Sequence, residues 1–319
     1  MMKKIGFIIS RKEHENRRAI ILDDAKKIKN KEFLYFEEWY FEIFWISDKE
    51  VSKLWFNIAK RESLLRECDI ICDPKAWDAE YLGDIRSKII FWWIHATQNY
   101  EITQKIIDGK LTAIAWEKMY ENNRHVFYKN NEIAWEAAVL HSMLCFGKNF
   151  DGLNAAVIWN GNTAKWAIKI LNKIWANVTI FTRNKEDLLK KEYDDYNILV
   201  NCVLRDVKRN DYLLSLNQLK NTKNLRYIID ISCDNDWAIE SCKPTTLENP
   251  IYEVNGIKHY VVDHTPSLLY QDSTLSISEQ VVKYVDKLII WEYDKVLSDS
   301  IIIKNWNIID KEICILQNR

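Results

Sequence analysis

Three side chains able to work on a carbonyl compound stand where apolar runs end. Lys75 closes the stretch Asp69-Ile70-Ile71-Cys72-Asp73-Pro74-Lys75, and His95 follows the run Lys88–Trp92 by way of Ile94. Arg17 lies in the charged loop Glu13–Arg18 behind the first apolar stretch. An ammonium and an imidazole in such places can polarise a keto group and move protons. A guanidinium can grip a carboxylate through two parallel hydrogen bonds. Asp234, after the run Ile228–Cys233, adds a carboxylate. Each has a plainer reading: Lys75 and Arg17 as solvated charges, His95 as a satisfied imidazole, Asp234 as a loop cap. What raises them is a shared position, because sites in open α/β sheets collect at strand carboxyl ends.

A second set belongs to one stretch, Asn154 to Arg183. Apolar Ala155–Ile158 leads into a small-residue turn, then helical spacing at Ala164, Ala167, Ile168, Leu171 and Ile174, then apolar Val178–Phe181. Strand, turn, helix and strand in that order hold a dinucleotide, with its diphosphate at the helix N-terminus. The glycine pattern G-x-G-x-x-G/A is met by Trp159-Asn160-Gly161-Asn162-Thr163-Ala164. Gly161 and Ala164 fit; Trp159 puts an indole where the tight turn asks for no side chain. An acid about 20 positions on would bind a ribose 2′-hydroxyl, whereas an Arg accommodates a 2′-phosphate. Thr182 and Arg183 stand there, 23 and 24 positions after Trp159, so NADP(H) is expected rather than NAD(H). Glu186 is the nearest residue that argues the other way. His264, in the turn Val262–Ser267, is a further candidate for cofactor or substrate contact.

The elements that must carry these residues alternate. Strands are expected at residues 4–9, 33–36, 69–72, 88–92 and 111–114, with helices over 23–30, 48–61 and 100–108, which argues a parallel α/β layer. A long buried helix is expected over Glu132–Phe146, ended by Gly147. After the dinucleotide unit come strands at 197–201 and 227–231, and a hairpin turning at Asn255-Gly256. Ser273–Ile290 has helical periodicity; the last thirty residues have no clear pattern.

With 319 residues, 48% of them hydrophobic, the chain has material for two domains. A net charge of −1 gives no general attraction to nucleic acid, and no 18-residue apolar run is present to span a membrane. Seven scattered cysteines suit reduced thiols and a cytoplasmic protein; none forms paired C-x-x-C clusters, so no metal site is expected. Glycine is the anomaly. Ordinary usage of about 7% would give roughly 22, but the chain has 7 Gly and 14 Trp. Trp39, Trp45, Trp159, Trp175 and Trp306 all stand where glycine serves turns and helix ends. The expectation is that most of these tryptophans are glycine codons read as tryptophan. The alternative is a tryptophan-rich protein with a blocked phosphate turn.

Taken together, the stretches resemble the alanine dehydrogenase and transhydrogenase family, in its carboxyethylornithine synthase branch. The resemblance is carried by Lys4-Ile5-Gly6, Glu15–Ala19, Asp73-Pro74-Lys75, Trp93-Ile94-His95, the phosphate turn, Ala238-Ile239-Glu240, Pro250–Tyr252 and Tyr260–Tyr270. It implies two Rossmann-like, doubly wound α/β domains with a discontinuous substrate domain: residues 1–130 plus 266–319 for substrate, and 131–265 for the dinucleotide. It implies that Arg17 binds a keto-acid carboxylate, Lys75 its carboxylate or carbonyl oxygen, that His95 is the acid–base group, and that Asp234 lines the site near the nicotinamide. The implied reaction is an NADPH-dependent condensation of pyruvate with the side-chain amine of ornithine, in a homo-oligomer. Pyruvate with ammonia is the alternative, and a non-catalytic remnant follows if the indole at 159 is genuine. The family has glycine where this chain has Trp39, Trp45, Trp55, Trp77, Trp92, Trp135, Trp159, Trp166, Trp175 and Trp237, and tryptophan at Trp93.

Overall fold

A computed structural model describes residues 2–75, 80–161, 164–203, 211–232 and 238–319. Among these the chain divides into two compact units, Met1–Asn130 with Tyr270–Arg319, and Asn131–Leu269. Both are α/β units built on a mostly parallel sheet.

The first unit begins with β1 (Ile5–Phe7), β2 (Leu34–Glu37), β3 (Asn57–Ala59), β4 (Ile70–Lys75), β5 (Ile89–Trp93) and β6 (Thr112–Ala115), followed by a small hairpin, β7 (Tyr120–Glu121) and β8 (Arg124–His125). Every residue of β1, β4, β5 and β6 is buried. Strands covered on both faces read as continuous apolar runs, and these do. Pro74 sits where the β4–β5 register shifts, a place in a sheet that tolerates a missing N–H.

The second unit holds β9 (Asn154–Ile158), β10 (Asn177–Phe181), β11 (Ile198–Asn201), β12 (Tyr227–Asp230), β13 (Ile251–Val254) and β14 (Ile257–Tyr260). They lie in the order β10-β9-β11-β12-β14-β13, parallel except for the β13–β14 hairpin. Strand order reverses beside β9, the switch point where a doubly wound sheet opens a crevice. The helix Ala164–Lys173 buries Ala164, Ala167, Ile170 and Leu171 on one face.

The chain then returns through the helix Tyr270–Ile290 and adds β15 (Ile301–Lys304) and β16 (Asn307–Ile308) to the first sheet, giving β16-β15-β6-β5-β4-β1-β2-β3. Val281, Tyr284, Val285 and Leu288 of that helix join the core formed by Ile5, Phe7, Phe36 and Phe91.

Three segments differ from the expectation. The helix expected over 23–30 is the single turn Leu22–Ala25. The stretch 48–61, read as one helix, is a helix Asp48–Ser52, the strand β3, and a new helix from Arg61. The break falls at Trp55, whose φ is 67°, a conformation no helix interior admits. The patternless C-terminus holds the helices Lys295–Asp299 and Lys311–Gln317 around the β15–β16 hairpin.

Candidate active site and dinucleotide turn

In the first unit, Arg17, Lys75 and His95 come to the carboxyl ends of β4 and β5. Lys75 pairs in register with Trp93, and the Arg17 guanidinium lies over the Trp93 ring, 5.4 Å from its centroid. His95 follows two residues after Trp93.

Arg17 is 3% exposed and pre-positioned. Its Nε and Nη2 donate to the two oxygens of Glu15 at 2.7 and 2.5 Å, and Nη1 donates to Asn130 Oδ1 at 3.2 Å. Ser273 Oγ donates to the same Asn130 oxygen at 2.6 Å. A guanidinium has five N–H donors; three are used here, which leaves two to meet a carboxylate.

Lys75 is fixed through its backbone. Its N–H donates to Asp73 Oδ1 at 3.0 Å, and its carbonyl accepts from Ser10 Oγ at 2.6 Å. Asp73 also accepts from Tyr81 Oη at 2.9 Å. Burial pushes the Asp73 carboxyl up to about 6, against the lowering effect of those two hydrogen bonds. A cleft of about 180 Å³ opens beside Lys75, lined among others by Arg11, Arg61, Asp73, Glu80 and Tyr81. Its mixed charge suits a zwitterion.

His95 occupies a left-handed turn, φ 52°. The turn is clamped by Glu117, which accepts the backbone N–H of Ile94 at 3.0 Å and of His95 at 2.6 Å. Glu117 was not legible as a site residue, since nothing in Trp116-Glu117-Lys118 marks it. Asp234 lies outside the described residues.

The Asp73 shift has a consequence for stability. An acid whose folded pKa is raised binds its proton more tightly when folded, so stability is lost as pH rises from the unfolded value to the folded one. A rise from 3.8 to about 6 corresponds to an upper value of about 3 kcal/mol. Urea titrations at pH 4 and pH 7 should show this loss in the parent chain and a markedly smaller one in Asp73→Asn.

In the second unit the turn follows β9. Trp159 has φ 71°, and its N–H donates to Phe181 O at 2.7 Å. Its indole Nε1 donates to Glu186 Oε1 at 3.3 Å, and the Arg183 guanidinium is 5.4 Å from the ring centroid. The indole therefore stands between the two groups that would read a ribose 2′ position. Gly161 is exposed and Ala164 is buried at the helix start; Asn162 and Thr163 lie outside the described residues. Thr182 Oγ1 donates to Asn184 Oδ1 at 2.5 Å.

One group here was missed by sequence reasoning. Asn201 ends β11 opposite Ile158 of β9, is wholly buried, and has an Nδ2 with no hydrogen-bond partner. Its Oδ1 accepts from Val203 N at 3.2 Å. An orphaned buried amide is rare and costly, and this one lies at the switch point. The helix N-terminus, Arg183 and Asn201 fit a dinucleotide; the Trp159 side chain does not. His264 is buried against Asp263, Nδ1 to Oδ1 2.5 Å. His259, held by Ser241 Oγ at 2.7 Å and lowered to about 4 by burial, is structural.

Fold and switch point together are those of a doubly wound, dinucleotide-binding type of α/β protein. Residues 148–315 match the family described as alanine dehydrogenase/PNT, C-terminal domain, more than half of the 319 residues, and the chain belongs to that family. It is 27% identical to an N(5)-(carboxyethyl)ornithine synthase of Clostridium botulinum over 88% of this chain and 93% of that protein. It is 22% identical to alanine dehydrogenase 1 of Staphylococcus aureus over 69% of each. A solved L-alanine dehydrogenase superposes with TM-score 0.80 over 99% of each chain at 16% identity, a likeness of fold. The enzyme is an NAD(P)-dependent oxidoreductase acting on a CH–NH group of small-molecule substrates. No helix among the described residues is long and apolar enough to cross a membrane.

Proposed function

We propose that the protein catalyses the NADPH-dependent reductive condensation of pyruvate with the side-chain amine of ornithine or a similar amino acid. The observation that carries this reading is the convergence of Arg17, Lys75 and His95 at the carboxyl ends of β4 and β5, in a chain similar along nearly its whole length to a carboxyethylornithine synthase.

The two remaining Arg17 donors would hold the keto-acid carboxylate. Lys75 would donate to the keto oxygen, so that the amine nitrogen attacks a polarised carbon. His95 would supply the proton with which that oxygen leaves as water, giving a protonated imine that needs only a hydride to become the secondary amine. The bound nicotinamide supplies the hydride that reduces the imine carbon. The mixed-charge cleft beside Lys75 would seat the amino and carboxyl groups of the second substrate. In this reading Met1–Asn130 with the C-terminal return is the substrate domain and the second unit binds the cofactor. The enzyme works as a cytoplasmic homo-oligomer. Cofactor binding further requires glycine at position 159.

The test is NADPH oxidation with pyruvate, comparing ornithine with ammonium. Oxidation that needs ornithine supports the synthase; oxidation with ammonium alone makes the enzyme an alanine dehydrogenase. Coenzyme choice has its own check. With glycine at 159, Arg183→Gln should raise the NADPH dissociation constant by about 10- to 100-fold, the loss of a charge-assisted hydrogen bond, and leave NADH binding nearly unchanged. Calorimetry with both coenzymes decides; tighter NADH binding by the parent would return the ribose to Glu186.

A further inference from the structure

Among the described residues, 17 that are not glycine have positive φ, and seven of these are tryptophan: Trp39, Trp45, Trp55, Trp159, Trp175, Trp291 and Trp306. The left-handed region is uncommon for any residue with a Cβ, and for a bulky one it is an outlier. Seven such outliers of one residue type cannot be seven separate accidents of strain.

At three of these positions the hydrogen bonds show what the place is built for. At the end of the helix Tyr128–Phe146, Gly147 N–H donates to Leu144 O and Lys148 N–H to Met143 O, at 3.0 and 3.3 Å. That is the paired closure of a helix that turns on a left-handed glycine. The helix Ala164–Lys173 ends in the same way, with Trp175 N–H on Asn172 O and Ala176 N–H on Leu171 O. So does Tyr270–Ile290, with Trp291 N–H on Leu288 O and Glu292 N–H on Lys287 O. The short turn Glu42–Phe44 closes on Trp45 with the same pair of bonds. Elsewhere the place falls to Lys110 and Asn318.

The hairpins give a second, independent match. Between β13 and β14 the turn is Asn255-Gly256, with φ of 52° and 74°. Between β15 and β16 it is Asn305-Trp306, with φ of 48° and 71°. Two left-handed residues in a row are what the tight hairpin demands, and Asn-Gly is its preferred filling.

The most exposed of these side chains can do little to hold their backbones. Trp45, Trp55 and Trp175 are 93, 83 and 78% exposed. Trp93 and Trp116 are the contrast: both are buried, both lie outside the left-handed set, and their rings pack at 4.8 Å, with Trp116 stacked on Phe127 at 4.6 Å.

We infer that positions 39, 45, 55, 159, 175, 291 and 306 are glycine in the protein its own cells make, through a codon there read as glycine, while 93 and 116 are tryptophan. Two of these positions, 291 and 306, are assigned by backbone conformation rather than by family resemblance. The inference stands on that conformation and holds whatever the substrate proves to be. At 159 it bears on the dinucleotide turn: without the indole, the space between Arg183 and Glu186 opens.

Peptide sequencing by mass spectrometry of the protein purified from cells that carry the gene tests all nine positions. Glycine is expected at the seven and tryptophan at 93 and 116, with one codon shared by the seven and a different one at the pair. Tryptophan at 159, 175, 291 or 306 in the native peptides, or the same codon at all nine positions, overturns it.

Discussion

With glycine at 159, Lys75→Ala lowers kcat/KM for pyruvate by about 10²- to 10⁴-fold, the range over which a positioned proton donor acts. The fold survives the change because the Lys75 backbone is held by Asp73 and Ser10 and the side chain is not part of an apolar core. Lys75→Arg does not restore activity, since a planar guanidinium cannot take the place of a compact ammonium in a buried position. The parallel experiment at His95 needs a variant that keeps the turn. Asn tolerates a φ of 52° better than other side chains, so His95→Asn removes the imidazole while leaving the Glu117 clamp its two N–H groups. A loss comparable to that of Lys75→Ala is expected, together with disappearance of whichever limb of the pH–rate profile belongs to the imidazole. Stopped-flow NADPH oxidation reads both variants. Activity within about threefold of the parent, too little for a lost proton donor, with an unchanged circular dichroism spectrum, removes the residue from the chemistry.

Much of this architecture could be read from the chain because its central strands are buried on both faces. The runs Ile70-Ile71-Cys72 and Ile89-Ile90-Phe91 announce themselves by continuous apolarity, and Asn255-Gly256 announces its hairpin. Legibility failed where tertiary contacts outrank local pattern. β3 has only Asn57-Ile58-Ala59, half-buried and without alternation, and exists because β2 offers it an edge. The β15–β16 hairpin was hidden because its turn signal reads Asn305-Trp306. In the candidate site, Lys75 and His95 are visible as polar residues closing apolar runs, and Arg17 as a charge in the loop behind the first of them. Glu117 and Asn201 are not. The first acts through backbone N–H groups 22 and 23 positions away, and the second is recognised only by an amide left without a partner.

Replacing tryptophan by glycine at 39, 45, 55, 175, 291 and 306 together raises the unfolding free energy by about 3–6 kcal/mol. A residue with a Cβ in the left-handed region costs about 1–2 kcal/mol. Glycine gives part of that back through the greater freedom of its unfolded chain, roughly 0.5–1 kcal/mol, which leaves about 0.5–1 per site. Side-chain losses are small because these indoles are 47–93% exposed. The six sites sit at separate turns, so their effects should nearly add. For a chain of this size a gain of that order raises the melting temperature by about 5–9 °C. The reverse experiment gives the scale: glycine at Trp116, stacked on Phe127 and edge-on to Phe91 and Trp93, removes a buried aromatic at a cost of about 3–5 kcal/mol. Opposite signs for the same substitution at 175 and at 116, measured by urea unfolding, are the expected result. If both destabilise the chain, the left-handed turns are holding their indoles for a reason of packing, and the conformational argument fails.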